Sequence, residues 1–166
     1  FQGQIVHTAR WQPELVTSDR RVAVIGTGST GVQVVSALQP EARSLIHFAR
    51  SPQWILWAPM WLRQSAALAE VLRRRPAWHD ALYRRLLWAS GILADIVTTP
   101  SWRRTLVQSY ARWSLRAQIR DREVRAKLTP DYEPLCKRQV VSGTYYRAIT
   151  RPNARLVTDP IQEFTR

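Results

Sequence analysis

The sequence predicts an α/β fold with a parallel sheet, and three patterns support this fold class. The β-branched apolar run at residues 21–25 is typical of a strand buried in a parallel sheet. A glycine-rich turn and an apolar helical segment follow it, and Pro40 ends the helix. Residues 44–49 then form a second candidate strand, which completes a β-α-β unit. Further along, residues 143–150 suit a short helix and residues 155–158 suit a third strand.

Length and composition restrict the class of protein. The chain has 166 residues, a net charge of +13 at pH 7 and 45% hydrophobic residues, including 8 Trp. This apolar content is enough for the core of one domain, and it excludes a disordered chain. Cys136 is the single cysteine, which excludes a disulfide scaffold. The longest apolar run, residues 86–97, is too short to span a bilayer.

The chain is expected to be a piece of a longer protein. It begins at Phe1 rather than at a methionine, and it begins inside a motif that is described below. We predict four segments along it. They are an interdomain linker at residues 1–20, the β-α-β unit at 21–60, a helical insertion at 61–128 and a return to the first domain at 129–166.

The predicted helical insertion is rich in arginine and carries most of the positive charge. Its composition favours several amphipathic helices. We expect breaks between them at Pro76, Gly91 and Pro100. Farther along, four residues at helical spacing form the apolar stripe of one such helix: Leu106, Tyr110, Trp113 and Ala117.

The glycine-rich turn has the spacing of a dinucleotide-binding fingerprint. In Gly26-x-Gly28-x-x-Gly31, the first glycine permits a tight turn and the second lets the backbone approach a pyrophosphate. The third glycine allows close packing of helix on strand, and the helix N-terminus faces the negative charge. The candidate cofactor-binding residues of the turn are Gly26, Thr27, Gly28, Ser29, Thr30 and Gly31.

The end of the second strand predicts which nucleotide is bound. Sites for NAD usually place an acidic residue roughly 20 residues past the turn, where it holds the ribose hydroxyls. This sequence has Arg50 there, followed by Ser51. A guanidinium can pair with the 2′-phosphate of NADP(H) through two hydrogen bonds. We therefore predict NADP(H), the alternative being that Arg50 is an ordinary surface arginine.

The first residues of the chain carry a second motif. Phe1, Gly3, His7 and Trp11 stand at a fixed spacing, shortly before the glycine-rich turn. In this spacing the chain resembles the Baeyer–Villiger monooxygenases, and more broadly the class B flavin-containing monooxygenases, which use FAD and NADPH. Gln12, where the family commonly has Pro or Asp, departs from the pattern. The resemblance implies that this motif couples domain movements and performs no chemistry.

The resemblance covers most of the chain, closely at both ends and loosely in the middle. It implies that Gln33 belongs to the nucleotide site and that Lys137 joins Arg50 around the 2′-phosphate. It also implies that Arg138 is the catalytic arginine. A permanently charged guanidinium suits the stabilisation of an anion better than a general acid would.

The implied function is the NADP-binding part of an FAD-dependent monooxygenase. Such an enzyme oxygenates ketones to esters or lactones through a peroxyflavin. The implied partners are a small ketone or heteroatom substrate, molecular oxygen and the FAD domain of the parent chain. This piece alone is expected to be inactive, because the FAD is bound mainly by segments outside it.

Two other interpretations stay open. One is a flavin monooxygenase that oxidises nitrogen or sulfur. Another is a basic module that binds a nucleotide or a membrane surface without catalysis. Nucleic-acid binding is disfavoured, because the arginines are spread over several helices and no binding motif accompanies them. No metal site is expected, since His47 and His79 lack partners at ligand spacing. The expected location is the cytoplasm, with peripheral membrane contact as an option.

Overall fold

The computed structural model describes residues 2–12, 14–58 and 65–164. A 3-10 turn lies at Thr8–Arg10. The strands are β1 (Arg21–Ile25), β2 (Ser44–Phe48), β3 (Ile55–Leu56), β4 (Val140–Val141) and β5 (Ala154–Val157). The helices are α1 (Ser29–Leu38), α2 (Ala66–Arg74), α3 (Pro76–Thr98), α4 (Trp102–Gln118), α5 (Arg122–Leu128) and α6 (Tyr145–Ile149).

The main sheet has three parallel strands in the order β1-β2-β5. In its register Val24 lies opposite His47, and His47 lies opposite Leu156. Because the strands are parallel, their carboxyl ends meet at one edge of the sheet, where ligands bind in open α/β folds. The predicted fold class is confirmed, and β5 is the predicted third strand.

Two helices pack on the main sheet and form the core with it. Val32 and Val35 of α1 and Leu45 of β2 are at most 1% exposed. Tyr145 and Tyr146 of α6 are each 2% exposed and belong to the same apolar cluster. Removal of this apolar area from water supplies the main force that holds α1 and α6 in place.

Asn153 joins α1 to β5. Its side-chain nitrogen donates to the carbonyl oxygens of Gln39 and Ala42, at 3.0 and 2.9 Å, and its Oδ1 accepts from Gln39 Nε2 at 2.7 Å. Carbonyl groups at a helix C-terminus have no partner within the helix. Asn153 supplies such a partner and fixes the start of β5 beside the end of α1.

A second sheet, which the sequence did not predict, consists of β3 and β4. The two strands are parallel, with Ile55 opposite Val140. Each strand has two residues, which is too short for a periodic pattern to reveal. α4 is anchored beside this sheet, because Tyr110 Oη donates to the carbonyl oxygen of Trp57 at 2.8 Å.

The predicted break at Gly91 is wrong. α3 runs without interruption from Pro76 to Thr98, with Gly91 in its interior. Glycine inside a helix costs only about 1 kcal/mol relative to alanine, and neighbouring helix-forming residues offset this cost. Pro76 is the first residue of α3, where its missing N–H loses no helical hydrogen bond. Pro100 lies between α3 and α4, as predicted.

The predicted apolar stripe of α4 is not the packed face of that helix. Leu106 and Trp113 are 59% and 60% exposed, whereas Ala111, Ser114 and Leu115 are buried. The helical period shows which residues share a face, but two apolar faces on one helix compete for the neighbouring elements. The face with the smaller residues is the one that packs here.

α3 has no buried residue along its 23 positions. Large apolar side chains in its middle are well exposed, among them Leu86, Leu87 and Trp88. Among the described residues, no helix combines the length and hydropathy needed to cross a bilayer. The predicted segment boundaries after residues 20, 60 and 128 stay a prediction.

Candidate functional site

The glycine-rich turn joins the carboxyl end of β1 to the start of α1. Gly26 has a φ of +112°, a backbone conformation that side-chain-bearing residues rarely adopt. Its N–H donates to the carbonyl oxygen of Phe48 at 3.1 Å, which fixes the start of the turn to β2. Gly28 is the N-cap of α1, and no side chain caps this helix. The first N–H groups of α1 are therefore free to bind an anion.

The second and third glycines have different steric environments. A Cβ atom at Gly31 would lie 2.1 Å from the carbonyl oxygen of Gly26, so a side chain at Gly31 would push the turn away from the helix. A Cβ atom at Gly28 would meet nothing within 4 Å. The backbone at Gly28 thus faces open space, as an approaching pyrophosphate requires. The close packing predicted for the third glycine is present at Gly31, while pyrophosphate binding at Gly28 stays a prediction.

His47 is a residue of this site that the sequence reasoning missed. It is fully buried in β2, and its Nε2 lies 2.8 Å from the carbonyl oxygen of Gly26. Its Nδ1 lies 2.9 Å from the hydroxyl of Tyr145. Burial lowers the pKa of His47, although the bond to Gly26 partly opposes this, and burial raises the pKa of Tyr145. The available signal was a histidine at an inward position of an apolar strand.

Arg50 and Ser51 lie just past the carboxyl end of β2, and both are exposed. The Oγ1 of Thr27 donates to the carbonyl oxygen of Ser51 at 2.7 Å. This bond holds the segment after β2 against the glycine-rich turn. Arg50 therefore lies at the carboxyl edge of the main sheet together with the turn.

Lys137 and Arg138 are exposed and lie just before β4. Because β3 and β4 are parallel, the residues before each of them lie at the same end of the small sheet. Trp54 connects the two segments, since its Nε1 donates to the carbonyl oxygen of Tyr132 at 2.6 Å. The Nζ of Lys137 lies 4.1 Å from the centre of the Tyr132 ring. Lys137 and Arg138 therefore lie at the same end of the small sheet as the segment that connects Arg50 to β3.

The residues of the N-terminal motif lie in an exposed segment. Phe1 is outside the described residues. Gly3 lies in a bend, and Trp11 is 42% exposed. His7 caps the 3-10 turn, because its Nδ1 accepts from the N–H of Ala9 at 3.2 Å. The capping bond gives residues 7–10 local order.

The remaining predicted cofactor residues lie on the first turns of α1. Ser29, Thr30 and Gln33 are all exposed there. Within residues 2–12, 14–58 and 65–164, no three His, Cys, Asp or Glu side chains come together as metal ligands.

Comparisons with known proteins give relatives of one kind, although no family model matches the chain. A Baeyer–Villiger monooxygenase of Streptomyces coelicolor is 35% identical over 164 residues, which are 98% of this chain and 31% of that protein. A monooxygenase of Mycobacterium tuberculosis is 42% identical over 159 residues, 95% of this chain and 32% of that protein. The predicted resemblance to Baeyer–Villiger monooxygenases is confirmed.

Solved structures of monooxygenases share the fold. The cyclohexanone monooxygenase of Rhodococcus sp. Phi1 bound to NADP+ matches with a TM-score of 0.72 and 25% identity, over 95% of this chain and 36% of that one. A steroid monooxygenase bound to NADP matches with a TM-score of 0.72 and 27% identity, over 95% of this chain and 36% of that one. This chain therefore spans about a third of the length of its Baeyer–Villiger relatives.

Proposed function

We propose that this chain is the NADP(H)-binding part of an FAD-dependent Baeyer–Villiger monooxygenase, which oxygenates ketones to esters or lactones. The observation that carries the proposal is the glycine-rich turn, in which Gly31 packs against Gly26 at a distance that admits no side chain. The turn occurs in a chain that is similar throughout to monooxygenases solved with NADP.

The residues of the turn fit the pyrophosphate of NADP(H). Backbone at Gly28 faces open space, and the uncapped N-terminus of α1 offers N–H groups and the positive end of the helix dipole. In this proposal the pyrophosphate is held by the turn residues Gly26, Thr27, Gly28, Ser29, Thr30 and Gly31, with Gln33 beside them.

Arg50 and Lys137 fit the 2′-phosphate that distinguishes NADP(H) from NAD(H). Both cations are exposed and available to an anion. Arg50 offers a planar pair of donors, whereas Lys137 offers a compact charge. Ser51, whose carbonyl group is held by Thr27, contributes its hydroxyl group and keeps Arg50 near the turn.

Arg138 is proposed as the catalytic residue of this chain. If bound, NADPH and FAD would supply hydride transfer and the activation of molecular oxygen. Oxygen activation at a flavin would place negative charge in the site, and arginine is the side chain suited to a lasting positive charge beside it. The role of Arg138 is to hold that charge without giving up a proton, so that the charge is stabilised without reorganisation of the site.

Product analysis tests this proposal in the full-length protein. With NADPH, oxygen and a cyclic ketone, we expect the lactone; a matched thioether should be oxidised less efficiently. Arg138→Ala should abolish lactone formation while NADPH still binds, and Arg147→Ala, at another exposed arginine, is the control. Sulfoxide as the main product would support the heteroatom-oxidising alternative. Normal lactone formation by Arg138→Ala would remove this residue from the mechanism.

We also propose that the FAD domain of the parent protein covers the outer face of β1. Ala23 and Ile25 of this strand are exposed, Ile25 by 59%. Parallel sheets are normally covered on both faces, so an exposed isoleucine in such a strand calls for a partner. Gly3, His7 and Trp11, with Phe1, would couple the movement of the two domains. Hydrogen exchange at β1 should be slower in the full-length protein than in residues 1–166 alone, and equal exchange would contradict this arrangement.

For α3 we propose peripheral contact with an anionic membrane surface. Its exposed middle combines the apolar residues Leu87 and Trp88 with two exposed cations, Arg84 and Arg85. This composition suits a helix that lies at the boundary of lipid head groups and acyl chains. The full-length protein should sediment with phosphatidylglycerol vesicles at low salt and much less at high salt. Arg84→Glu with Arg85→Glu should reduce this binding, and absence of vesicle binding by the unaltered protein would overturn the proposal.

A further inference from the structure

We propose that His47, held by Tyr145, is a positioning residue for the glycine-rich turn and so sets the affinity for the pyrophosphate of the nucleotide. This inference rests on the proposed function. It concerns two residues that lie behind the turn and are shielded from any bound nucleotide, since both are buried.

The hydrogen-bond geometry assigns a tautomer to His47. The carbonyl oxygen of Gly26 accepts hydrogen bonds and cannot donate, so the Nε2 of His47 carries the proton. Its Nδ1 is then unprotonated and accepts from the hydroxyl of Tyr145. The two rings meet edge to face with their centres 5.6 Å apart, which holds the imidazole upright between its partners. A chain of two hydrogen bonds thus runs from Tyr145 to the Gly26 carbonyl.

The orientation of the Gly26 carbonyl group determines the conformation of the glycine-rich turn. The carbonyl lies against Gly31 of α1, where a Cβ atom would come within 2.1 Å of it, and the N–H of Gly26 is bound to Phe48. This carbonyl belongs to the peptide group that joins Gly26 to Thr27. The next residue is Gly28, whose backbone faces open space. If His47 did not hold the carbonyl, the peptide could rotate, because glycine has little conformational preference of its own. The N–H groups at the start of α1 would then no longer converge on a phosphate.

A probe that lacks the pyrophosphate separates positioning from general stability. NADP+ contacts both the turn and the 2′-phosphate site, whereas adenosine 2′-monophosphate contacts only the latter. In the full-length protein, His47→Leu should weaken NADP+ binding about tenfold, because one buried hydrogen bond to the turn is lost. Binding of adenosine 2′-monophosphate should change by less than about twofold. His79→Leu, at an exposed histidine of α3, is the control.

Two further variants keep the test decisive. His47→Gln retains an N–H donor toward Gly26 and should recover NADP+ affinity to within about threefold of the unaltered protein. Tyr145→Phe keeps the ring, removes the hydroxyl, and should weaken NADP+ binding by a few fold without affecting the shorter probe. It serves as the test if His47→Leu does not fold.

The outcomes distinguish this inference from the proposed function. If the unaltered protein does not bind NADP+, the proposed function fails and the inference fails with it. If it binds NADP+ and His47→Leu binds as tightly, only the inference is overturned. Equal weakening of NADP+ and adenosine 2′-monophosphate, without recovery in His47→Gln, would assign His47 a general structural role instead.

Discussion

The β-α-β unit and α3 both come from strongly apolar sequence, yet only the first buries its apolar residues. Val32, Val35 and Leu45 are at most 1% exposed, whereas Leu87 and Trp88 of α3 are 60% and 71% exposed. The β-α-β unit supplies both a sheet face and a helix that pack together, and Tyr145 and Tyr146 of α6 complete the same core. α3 contacts α2 and α4, but these contacts leave Leu87 and Trp88 exposed. Apolar periodicity therefore predicts an element, while burial depends on a neighbour.

Alanine substitutions at Gly31 of α1 and at Gly91 of α3 test the difference between the two regions. Gly31→Ala has the largest expected effect. Gly31→Ala would place a methyl group against the backbone oxygen of Gly26, which cannot move without disturbing β1. We expect a loss of about 3 kcal/mol in unfolding free energy, at the upper end for overpacked sites, and loss of measurable NADP+ binding. Urea denaturation and calorimetric titration measure the two. A variant with unaltered stability would show that the close contact does not constrain the turn.

The two faces of α4 provide the next test. Leu115 is 2% exposed and Leu106 is 59% exposed, so the same substitution should have unequal effects. Leu115→Ala should reduce the unfolding free energy by at least about 2 kcal/mol, and Leu106→Ala by less than about 0.5 kcal/mol. Urea denaturation compares them. Equal losses would mean that the predicted stripe through Leu106 is packed after all.

The buried histidine of β2 gives the stability of the β-α-β unit a pH dependence. Burial lowers the pKa of His47 from 6.5, so below about pH 6.5 the unfolded chain takes up a proton that the folded chain refuses. Stability should therefore decrease as the pH falls below that value, by at most about 1.4 kcal/mol per pH unit. Melting temperatures at pH 7.5 and 5.5 measure this effect. His47→Gln should show a smaller decrease, and an identical decrease would assign the effect to other groups.

Gly91 in α3 gives the smallest expected effect, and its sign is opposite to that of Gly31. A Cβ atom there would meet nothing within 4 Å. Gly91→Ala should raise the unfolding free energy by about 0.5 to 1 kcal/mol, because alanine loses less entropy in a helix. Nucleotide binding should not change. A destabilised variant would indicate that the rest of the parent protein packs closely against this position.

The sequence predicted those elements whose backbone conformation or close packing restricts the choice of residue. The glycine spacing predicted the turn, since only glycine satisfies both the positive φ of Gly26 and the close contact at Gly31. The β-branched run predicted β1. The predicted resemblance to Baeyer–Villiger monooxygenases was confirmed by a similarity that extends along nearly the whole chain.

Other features depend on contacts between residues that are distant in sequence. The role of His47 requires Tyr145, which lies 98 residues further along the chain. The small sheet has strands of two residues that exist because Ile55 meets Val140. Gly91 did not break α3, because a local preference of about 1 kcal/mol is outweighed by its helical neighbours. Single-sequence patterns contain none of this information.

The measurement that tests the central claim most directly is the affinity of the full-length protein for NADP+ and NAD+. Arg50 and Lys137 should make NADP+ bind at least about tenfold more tightly, through charge-assisted hydrogen bonds to the 2′-phosphate. Arg50→Asp should remove or reverse this preference. Arg21→Asp, at the opposite end of the main sheet, should leave it unchanged. Equal affinity of the unaltered protein for the two nucleotides would contradict the account.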